Sequence, residues 1–428
     1  MSNIMLKSLY VHNFKSFYRS KFEFGKVNCL IAPNNTGKSN LLEVLTFLDN
    51  LIYQNVARAI AKVGFKKLRN YHYPDENVVH VNAQFMINNQ VLVGDELIQY
   101  DIELNFIFSL NYEQKTSNID ILVGGKIKNT KIDKADLKNG FGLRIFHDLE
   151  DYIINYTLYN DTLKRKKNRS FRLTYNHNTL NYSISNTQYQ TTDEIIKNLF
   201  ALNIKKDNES LSSPIDLRLF FNRSSLFVAH CFHAHAIKRV QEVGYPYLLE
   251  DGTNLPDYLK NLNKETFEDI STSLIGEVEL INAIEIRDSF TTELIFKEEI
   301  NGEVNDLELR EVSDGTIHFI AIMSAIMGNK NSIGLLIEEP ERHMHMKVLS
   351  TILNTMRDDD KQMFFTTHST ELLQHLELDE IVFMFRDYEG DTRAQRAVDI
   401  FNIEKFMSRY KNDLVEMIKF GVVGEYEE

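Results

Sequence analysis

The sequence is poor in cysteine and has neither a long apolar run nor a leader-like N-terminus. Its two cysteines among 428 residues give no disulfide framework, and Cys29 lies in a predicted strand, which predicts a buried thiol. No segment approaches the ~20 consecutive apolar residues of a membrane helix. Residues 1–4 lack the charged and apolar regions of a signal peptide. We therefore expect a cytoplasmic protein without a membrane partner.

Positive charge is scarce as well. The net charge is −13, in a composition of 43% hydrophobic and 25% charged residues that is ordinary for a globular protein. This balance argues against a general polyanion-binding surface. A local basic run, residues 164–169 with Arg172 close by, is either a solvated loop or linker or a patch for a phosphate backbone.

A phosphate-binding loop is the clearest feature that the sequence does contain. The apolar run 27–31 is followed by a turn with a glycine, a Lys-Ser pair and a helical pattern from Leu41. In such a layout backbone N–H groups and the helix N-terminus hold phosphates, the lysine reaches the β- and γ-phosphates, and the serine hydroxyl binds Mg²⁺. The predicted nucleotide-binding residues are Asn34, Asn35, Thr36, Gly37, Lys38, Ser39 and Asn40.

This loop departs from the usual G-x-x-x-x-G-K-[ST] pattern at its first position, where Ala32 replaces glycine. An alanine forced into a backbone conformation that prefers glycine costs roughly 1 kcal/mol. We therefore expect a small local strain at Ala32.

Paired acids follow a second apolar run. Residues 333–337 predict a buried strand, and Glu338 and Glu339 come directly after it. In P-loop ATPases such acids hold Mg²⁺ and activate the attacking water. By position Glu338 is the predicted metal ligand and Glu339 the predicted catalytic base, although the usual metal ligand is aspartate and Glu338 adds a methylene.

Two further segments complete the pattern. His368 ends the predicted strand 363–366, where it could contact the γ-phosphate or the attacking water. Ser313 and Gly315 open a predicted helix over 316–327, and a helix start of this kind is either an ordinary N-cap or an anion site.

Taken in order, P-N-N-T-G-K-S-N, S-D-G-T, L-L-I-E-E-P-E and T-T-H-S resemble the ABC-type ATPase heads of the RecF, SMC and OLD class. Residues 7–17 and 251–255 add to this resemblance, which covers about residues 1–90 and 226–390. It implies ATP and Mg²⁺ bound between two copies of the chain. The residues implied to act within one copy are Lys38, Ser39, Glu338, Glu339 and His368.

The same resemblance implies that Ser313 and Gly315 bind the γ-phosphate held by the partner copy. It also makes Gln84 a candidate Mg²⁺ contact, against the plainer interpretation as a strand residue. The transporter signature L-S-G-G-Q is absent, which argues against a membrane-transport cassette.

The predicted fold is an α/β P-loop ATPase of the ABC type, with a parallel core sheet, an antiparallel β lobe and an inserted mixed α/β middle. The expected domains are residues 1–112 and 226–428 for the ATPase head, and 113–225 for the insertion. The sequence has no sustained heptad pattern with apolar a and d positions. We therefore expect no long coiled coil of the kind found in SMC relatives. A TOPRIM nuclease is not expected after His368, because no acidic cluster of the required type follows it.

One further cluster invites a metal site: His230, Cys231, His233 and His235. The spacing lacks a second cysteine or an acidic ligand pair, so we interpret these residues as structural. His345 stands where the resembling class commonly has a histidine, which predicts a place near the dimer interface.

The function that these features predict is ATP hydrolysis by a homodimer or higher homo-oligomer. The chain resembles ATPase subunits of anti-phage systems such as Septu, PARIS and retron-linked modules, which control a separate effector, either a nuclease or a toxin. Two alternatives stay open: a RecF-like repair ATPase that binds DNA, and a non-hydrolysing scaffold that uses ATP only to assemble.

Overall fold

The computed structural model divides the chain into two compact units, each built from separate chain segments. The first comprises Met1–Phe24, Ser39–Ser224 and Arg386–Ala394, and the second comprises Gly25–Lys38, Ser225–Phe385 and Gln395–Glu428. The structure describes residues 3–33, 35–54, 56–93, 96–114, 116–127, 171–176, 179–184, 187–189, 205–206, 209–210, 225–288, 290–329 and 331–400.

The first unit contains an eight-stranded sheet in the order β2-β1-β4-β5-β6-β7-β8-β9, in which every neighbouring pair is antiparallel. Its strands are β1 Asn3–His12, β2 Ser20–Glu23, β4 Val78–Val93, β5 Glu96–Asn111, β6 Thr116–Ile127, β7 Phe171–Asn176, β8 Thr179–Ile184 and β9 Thr187–Tyr189. A separate two-stranded ladder pairs β10 Lys205–Lys206 with β11 Glu209–Ser210. The first helices are α1 Lys38–Tyr53, α2 Val56–Val63 and α3 Phe65–Leu68.

Strand β4 shows why this sheet forms. Every second side chain from Val79 to Ile87 is at most 1% exposed, and the residues between them are partly exposed. This period of two is that of a strand with one face on a core. From helix α1, Phe47 packs on the same core, with ring centroids 5.5 Å from Phe14 and 5.4 Å from Phe108.

The second unit is organised by a six-stranded sheet in the order β12-β16-β17-β3-β18-β19. The first five strands run parallel to one another. The strands are β3 Val27–Ile31, β12 Ser225–His230, β16 Ser332–Glu338, β17 Gln362–Thr366, β18 Ile381–Arg386 and β19 Thr392–Arg396. A smaller antiparallel sheet contains β13 Ile281–Asp288, β14 Thr292–Ile300 and β15 Glu303–Glu308.

The helices of this unit are α4 Ala234–Arg239, α5 Leu255–Asn261, α6 Lys264–Glu277, α7 Asp314–Gly328, α8 Met346–Asp358 and α9 Thr370–Leu373. Helix α7 is buried on all sides from Thr316 to Ile326, so it lies inside the hydrophobic core and lacks a solvent face. Among the described residues, no helix has the length and apolarity needed to span a membrane.

Parallel pairing brings the carboxyl ends of the strands to one edge of the sheet. In this register Ile337 lies opposite His230, Glu338 opposite Thr366, and Thr366 opposite Leu30. The segments that follow these positions therefore begin at the same edge.

The predicted fold class is confirmed: the chain is mixed α/β, with a predominantly parallel sheet and a separate antiparallel one. The boundaries at 112 and 225 stay predictions. Most of the expected insertion, including the basic run 164–169, lies outside the described residues.

Candidate functional site

The phosphate loop turns tightly between β3 and α1. The backbone N–H and the side-chain hydroxyl of Thr36 both donate to the Pro33 carbonyl, at 3.4 Å and 2.8 Å. Asn35 and Gly37 adopt left-handed conformations, with φ of 63° and 107°. Asn34 lies outside the described residues. Helix α1 begins at Lys38, so its first N–H groups border the loop, as a phosphate site requires.

Ala32 is a correction to the sequence analysis. The residues with positive φ in this loop are Asn35 and Gly37, and Ala32 is not among them. Its backbone is therefore one that alanine adopts without cost, and the expected strain is absent.

Lys38 folds back over the loop. Its Nζ donates to the Ala32 carbonyl at 2.8 Å. Burial lowers the pKa of Lys38, and the negative charge of Glu339 opposes that shift. Ser39 is exposed, and the amide of Asn40 donates to the Ser16 hydroxyl at 2.8 Å within the first unit.

Glu339 is held by three groups at the end of β16. Its backbone has a φ of 46°, and its N–H lies 3.1 Å from the Thr366 carbonyl and 3.3 Å from the Thr366 hydroxyl. Arg342 Nε donates to Glu339 Oε2 at 2.7 Å, and Glu339 Oε1 lies 3.9 Å from His368 Nε2. The hydrogen bond from Arg342 holds the pKa of Glu339 below its usual value, with the charges of His368 and Lys38 adding to the effect. The predicted base and the predicted histidine thus lie side by side within one unit.

Glu341 fixes the segment that carries His368. One of its carboxylate oxygens accepts hydrogen bonds from the Thr367 hydroxyl at 2.7 Å and from the His368 backbone N–H at 3.1 Å. Its other oxygen is buried without a partner among the described residues. The motifs assign no role to Glu341, whose only signal in the sequence is its position two residues after Glu339.

Glu338 ends β16 and contacts a cysteine. Cys231 Sγ donates to Glu338 Oε2 at 3.5 Å and lies 3.8 Å from His233 Nε2. Burial and then the charge of Glu338 raise the pKa of Cys231 to about 11, so the thiol stays protonated near neutrality. Among the described residues, ligand atoms of Asp387, Glu389 and Asp391 lie within 4.8 Å of one another. The structural interpretation of the His-Cys cluster stays a prediction.

Ser313 is the N-cap of helix α7. Its hydroxyl accepts from the Thr316 N–H at 3.1 Å, and Lys238 holds the segment by donating to the Val312 carbonyl and to Asp314, each at 2.7 Å. Ser313 is nonetheless exposed. A Cβ at Gly315 would lie 2.4 Å from the His343 carbonyl oxygen, so a larger residue fits there only if the backbone shifts. The contact of Ser313 and Gly315 with a partner's phosphate stays a prediction.

Gln84 lies in β4 of the first unit, where its Oε1 accepts from the Ser8 hydroxyl at 2.9 Å on the paired strand β1. This bond gives the side chain a structural role. Its predicted Mg²⁺ contact stays a prediction.

The residues fit the ligands that the motifs imply. The lysine, the left-handed turn and the helix start suit phosphate oxygens, and Glu338 and Ser39 each carry the kind of oxygen donor that Mg²⁺ prefers. What this arrangement can do chemically is bind a triphosphate and place a carboxylate beside it.

Comparisons with known proteins find a matching family model and a curated relative. A family model described as an AAA domain, putative AbiEii toxin, Type IV TA system, matches residues 190–374. A curated relative, an ATP/GTP phosphatase of Helicobacter pylori (strain ATCC 700392 / 26695), is 24% identical over 391 residues, which cover 87% of this chain and 88% of that protein.

Solved structures with more distant similarity include two of SMC heads and one of RecF. The SMC head domain from Thermotoga maritima gives a TM-score of 0.42 at 13% identity, covering 91% of this chain and 98% of that one. An SmcHead bound to the C-winged helix domain of ScpA gives 0.46 at 13% identity, covering 91% and 96%. The recombination mediator protein RecF-ATPrS of the RecFOR pathway gives 0.35 at 13% identity, covering 92% and 98%.

The family match contains the Ser313, Glu339 and His368 segments, and the phosphatase relative spans most of the chain. With the nucleotide motifs at one edge of the parallel sheet, the family match and the phosphatase relative agree with the resemblance to ATPases seen in the sequence.

Proposed function

We propose that the chain hydrolyses ATP, with Glu339 as the general base. The observation that carries this proposal is the carboxylate of Glu339, whose Oε1 lies 3.9 Å from His368 Nε2 and whose pKa is held below its usual value by Arg342 and, to a lesser extent, by His368 and Lys38. Glu339 Oε1 accepts a proton from water, the water oxygen bonds to the γ-phosphorus, and the bond from that phosphorus to the bridging oxygen breaks with its electron pair leaving on ADP. Ser39, Glu338 and Gln84 are the residues that the motifs assign to Mg²⁺, which when bound would neutralise charge on the phosphates.

We further propose that two copies of the chain enclose the nucleotides, as a homodimer or within a larger homo-oligomer. Ser313 supports this proposal, because it is exposed at the start of helix α7, and the first backbone N–H groups of a helix have no acceptor within the helix. Lys38 of one copy would then bind the phosphates, and Ser313 and Gly315 of the other copy would complete the binding site around them.

The biological role that fits best is control of a separate effector, a nuclease or a toxin, in defence against phage. The description of the matching family names a putative toxin of a toxin–antitoxin system, and the acidic net charge of −13 disfavours extended contact with DNA. A RecF-like repair ATPase that binds DNA and a non-hydrolysing scaffold are the alternatives that the experiments below separate.

Glu339→Gln is the central test of hydrolysis. We expect it to bind ATP normally and to lose turnover by about 10²–10⁴-fold, the usual contribution of a general base. Glu279→Gln, at an exposed glutamate of the same unit, is the matched control and should keep turnover within twofold. Turnover that persists in Glu339→Gln would reject the assigned base and support the scaffold.

The same variant tests assembly and partner. Light scattering with ATP should show Glu339→Gln as a dimer or larger oligomer, and Ser313→Arg should keep it monomeric. A pull-down of Glu339→Gln from the native host should then recover an effector protein. Recovery of duplex DNA instead, with salt-sensitive binding that needs ATP, would favour repair.

A further inference from the structure

Arg342 contacts the proposed base and was assigned no role by the motifs. Its Nε donates to Glu339 Oε2 at 2.7 Å, and both side chains are partly screened from solvent, with 33% and 29% of their surface exposed. The bond occupies one carboxylate oxygen of Glu339. The other oxygen, Oε1, is the one that faces His368.

The charges around Glu339 leave Arg342 as its closest counterion. The cationic or titratable groups that face its carboxylate are Arg342, His368 and Lys38, of which Arg342 makes the hydrogen bond. The guanidinium in turn interacts with Cys231 and Glu338 as well as with Glu339. One arginine therefore compensates both acids at the end of β16.

The backbone that carries Arg342 is held rigidly. The Arg342 N–H donates to the Glu339 carbonyl at 3.2 Å, and the Met344 N–H donates to the Glu341 carbonyl at 3.2 Å, which closes two successive tight turns. His343 has a φ of 63°, and its carbonyl packs against Gly315 too closely to admit a Cβ. Such a fixed loop can set the position of a side chain with little freedom.

We infer that Arg342 is a positioning residue for hydrolysis, which holds Glu339 Oε2 so that Oε1 is presented to the attacking water beside His368. This inference rests on the proposed function, because it concerns the orientation of the proposed base. Arg342 contacts the base and takes no part in the proton transfer itself. Its removal leaves the carboxylate free to rotate away.

The test is the steady-state kinetics of Arg342→Ala, Arg342→Lys and Arg342→Gln in the full chain. We expect Arg342→Ala to lower kcat by about 10- to 100-fold, the loss that follows from a misplaced catalytic group, with KM for ATP within twofold. Arg342→Lys should recover most of that loss, since a lysine can still donate to the carboxylate. Arg310→Ala, at an exposed arginine of the same unit, should leave kcat and KM unchanged.

A double-mutant cycle separates this inference from the proposed function. In Glu339→Gln, further change of Arg342 to Ala should cost less than threefold, because the group that Arg342 orients is already gone. An unchanged kcat in folded Arg342→Ala, a rise in KM equal to the fall in kcat, or full additivity with Glu339→Gln would each overturn the inference. If Arg342→Ala does not fold, the two other variants test the inference. We then expect kcat to fall from wild type to Arg342→Lys and further to Arg342→Gln, and equal kcat values for these two variants would reject the inference. Turnover that persists in Glu339→Gln alone rejects the proposed function.

Discussion

The two sheets of this molecule use their strands in different ways. In the antiparallel sheet of the first unit, β4 alternates between buried and partly exposed residues, so its side chains divide between two faces. In the parallel sheet of the second unit, β16 is buried from Ser332 to Ile337 and becomes polar only at Glu338. Polar side chains thus occur along the whole length of β4, whereas in β16 the polar side chain that is not buried lies at the carboxyl end of the strand.

This difference explains where the chemistry lies. A parallel sheet aligns the carboxyl ends of its strands, so the loop after β3, the acids after β16 and the histidine after β17 start from one edge. An antiparallel sheet alternates strand directions and gives no such common edge. Accordingly Gln84, in the middle of β4, is bonded across to Ser8 on the neighbouring strand.

The largest expected contrast between the two units is in activity. Lys38→Ala in the second unit should lower kcat/KM for ATP by about 10²–10³-fold, because it removes a charged donor to the phosphates. Lys21→Ala in β2 of the first unit should change it by less than twofold, since Lys21 is exposed and forms an ion pair with Glu23, away from the phosphate loop in the chain. Comparable losses in the two variants, measured by phosphate release, would contradict the assignment of the chemistry to the second unit.

Acid should weaken the second unit through its buried histidines. Burial lowers the pKa of both His230 and His318 to about 4, from an ordinary value of 6.5, so each is neutral when folded and takes up a proton on unfolding. Their contribution to the free energy of unfolding is complete above pH 6.5 and falls as the pH drops towards 4. The loss is at most about 3 kcal/mol for each histidine.

The measurement is urea unfolding followed by circular dichroism at pH 7.5 and pH 5, since the chain has no tryptophan. His318→Leu should reduce the difference in unfolding free energy between the two pH values. A difference as large as in the wild type would show that His318 does not titrate as its burial implies.

Gly315→Ala is expected to have the smallest of the three effects. The added Cβ would lie 2.4 Å from the His343 carbonyl oxygen, which is backbone and cannot swing aside. Overpacking of this kind costs about 1–3 kcal/mol. Gly276→Ala is the matched control in helix α6, with nothing within 4 Å of its Cβ, and should be neutral or slightly stabilising. Equal melting temperatures for the two variants would argue against the tight packing of α7 on the loop.

Local backbone requirements made much of the site predictable from the sequence. The order of apolar strand, glycine turn and lysine fixes a phosphate loop within a few residues, and apolar runs ending in acids or histidine predict buried parallel strands. The strands containing residues 333–337 and 363–366 and the helix over 316–327 were all found. Ser313 was expected as either an N-cap or an anion site, and its capping bond is present.

Side-chain contacts were harder to predict. The bond from Arg342 to Glu339 depends on the left-handed backbone of Glu339, and the bond from Thr367 to Glu341 joins two strand ends that only the sheet brings together. Ala32 misled because the sharp bend of the loop falls at Asn35 and Gly37. The proposed contacts of Ser313 and Gly315 involve a second copy of the chain, so they depend on assembly and not on the fold of one chain.

The central place of β3 has a consequence for biosynthesis. Its two neighbours in the sheet, β17 and β18, are encoded far downstream, and Cys29 pairs with both Phe365 and Ile381. A ribosome that adds about 5–20 residues per second needs roughly 20–70 s to travel from the first of these strands to the last. During that interval the nascent β3 has two open edges, which are sites of aggregation unless a chaperone covers them. We therefore expect losses of this protein to aggregation during synthesis, while β3 still lacks both β17 and β18.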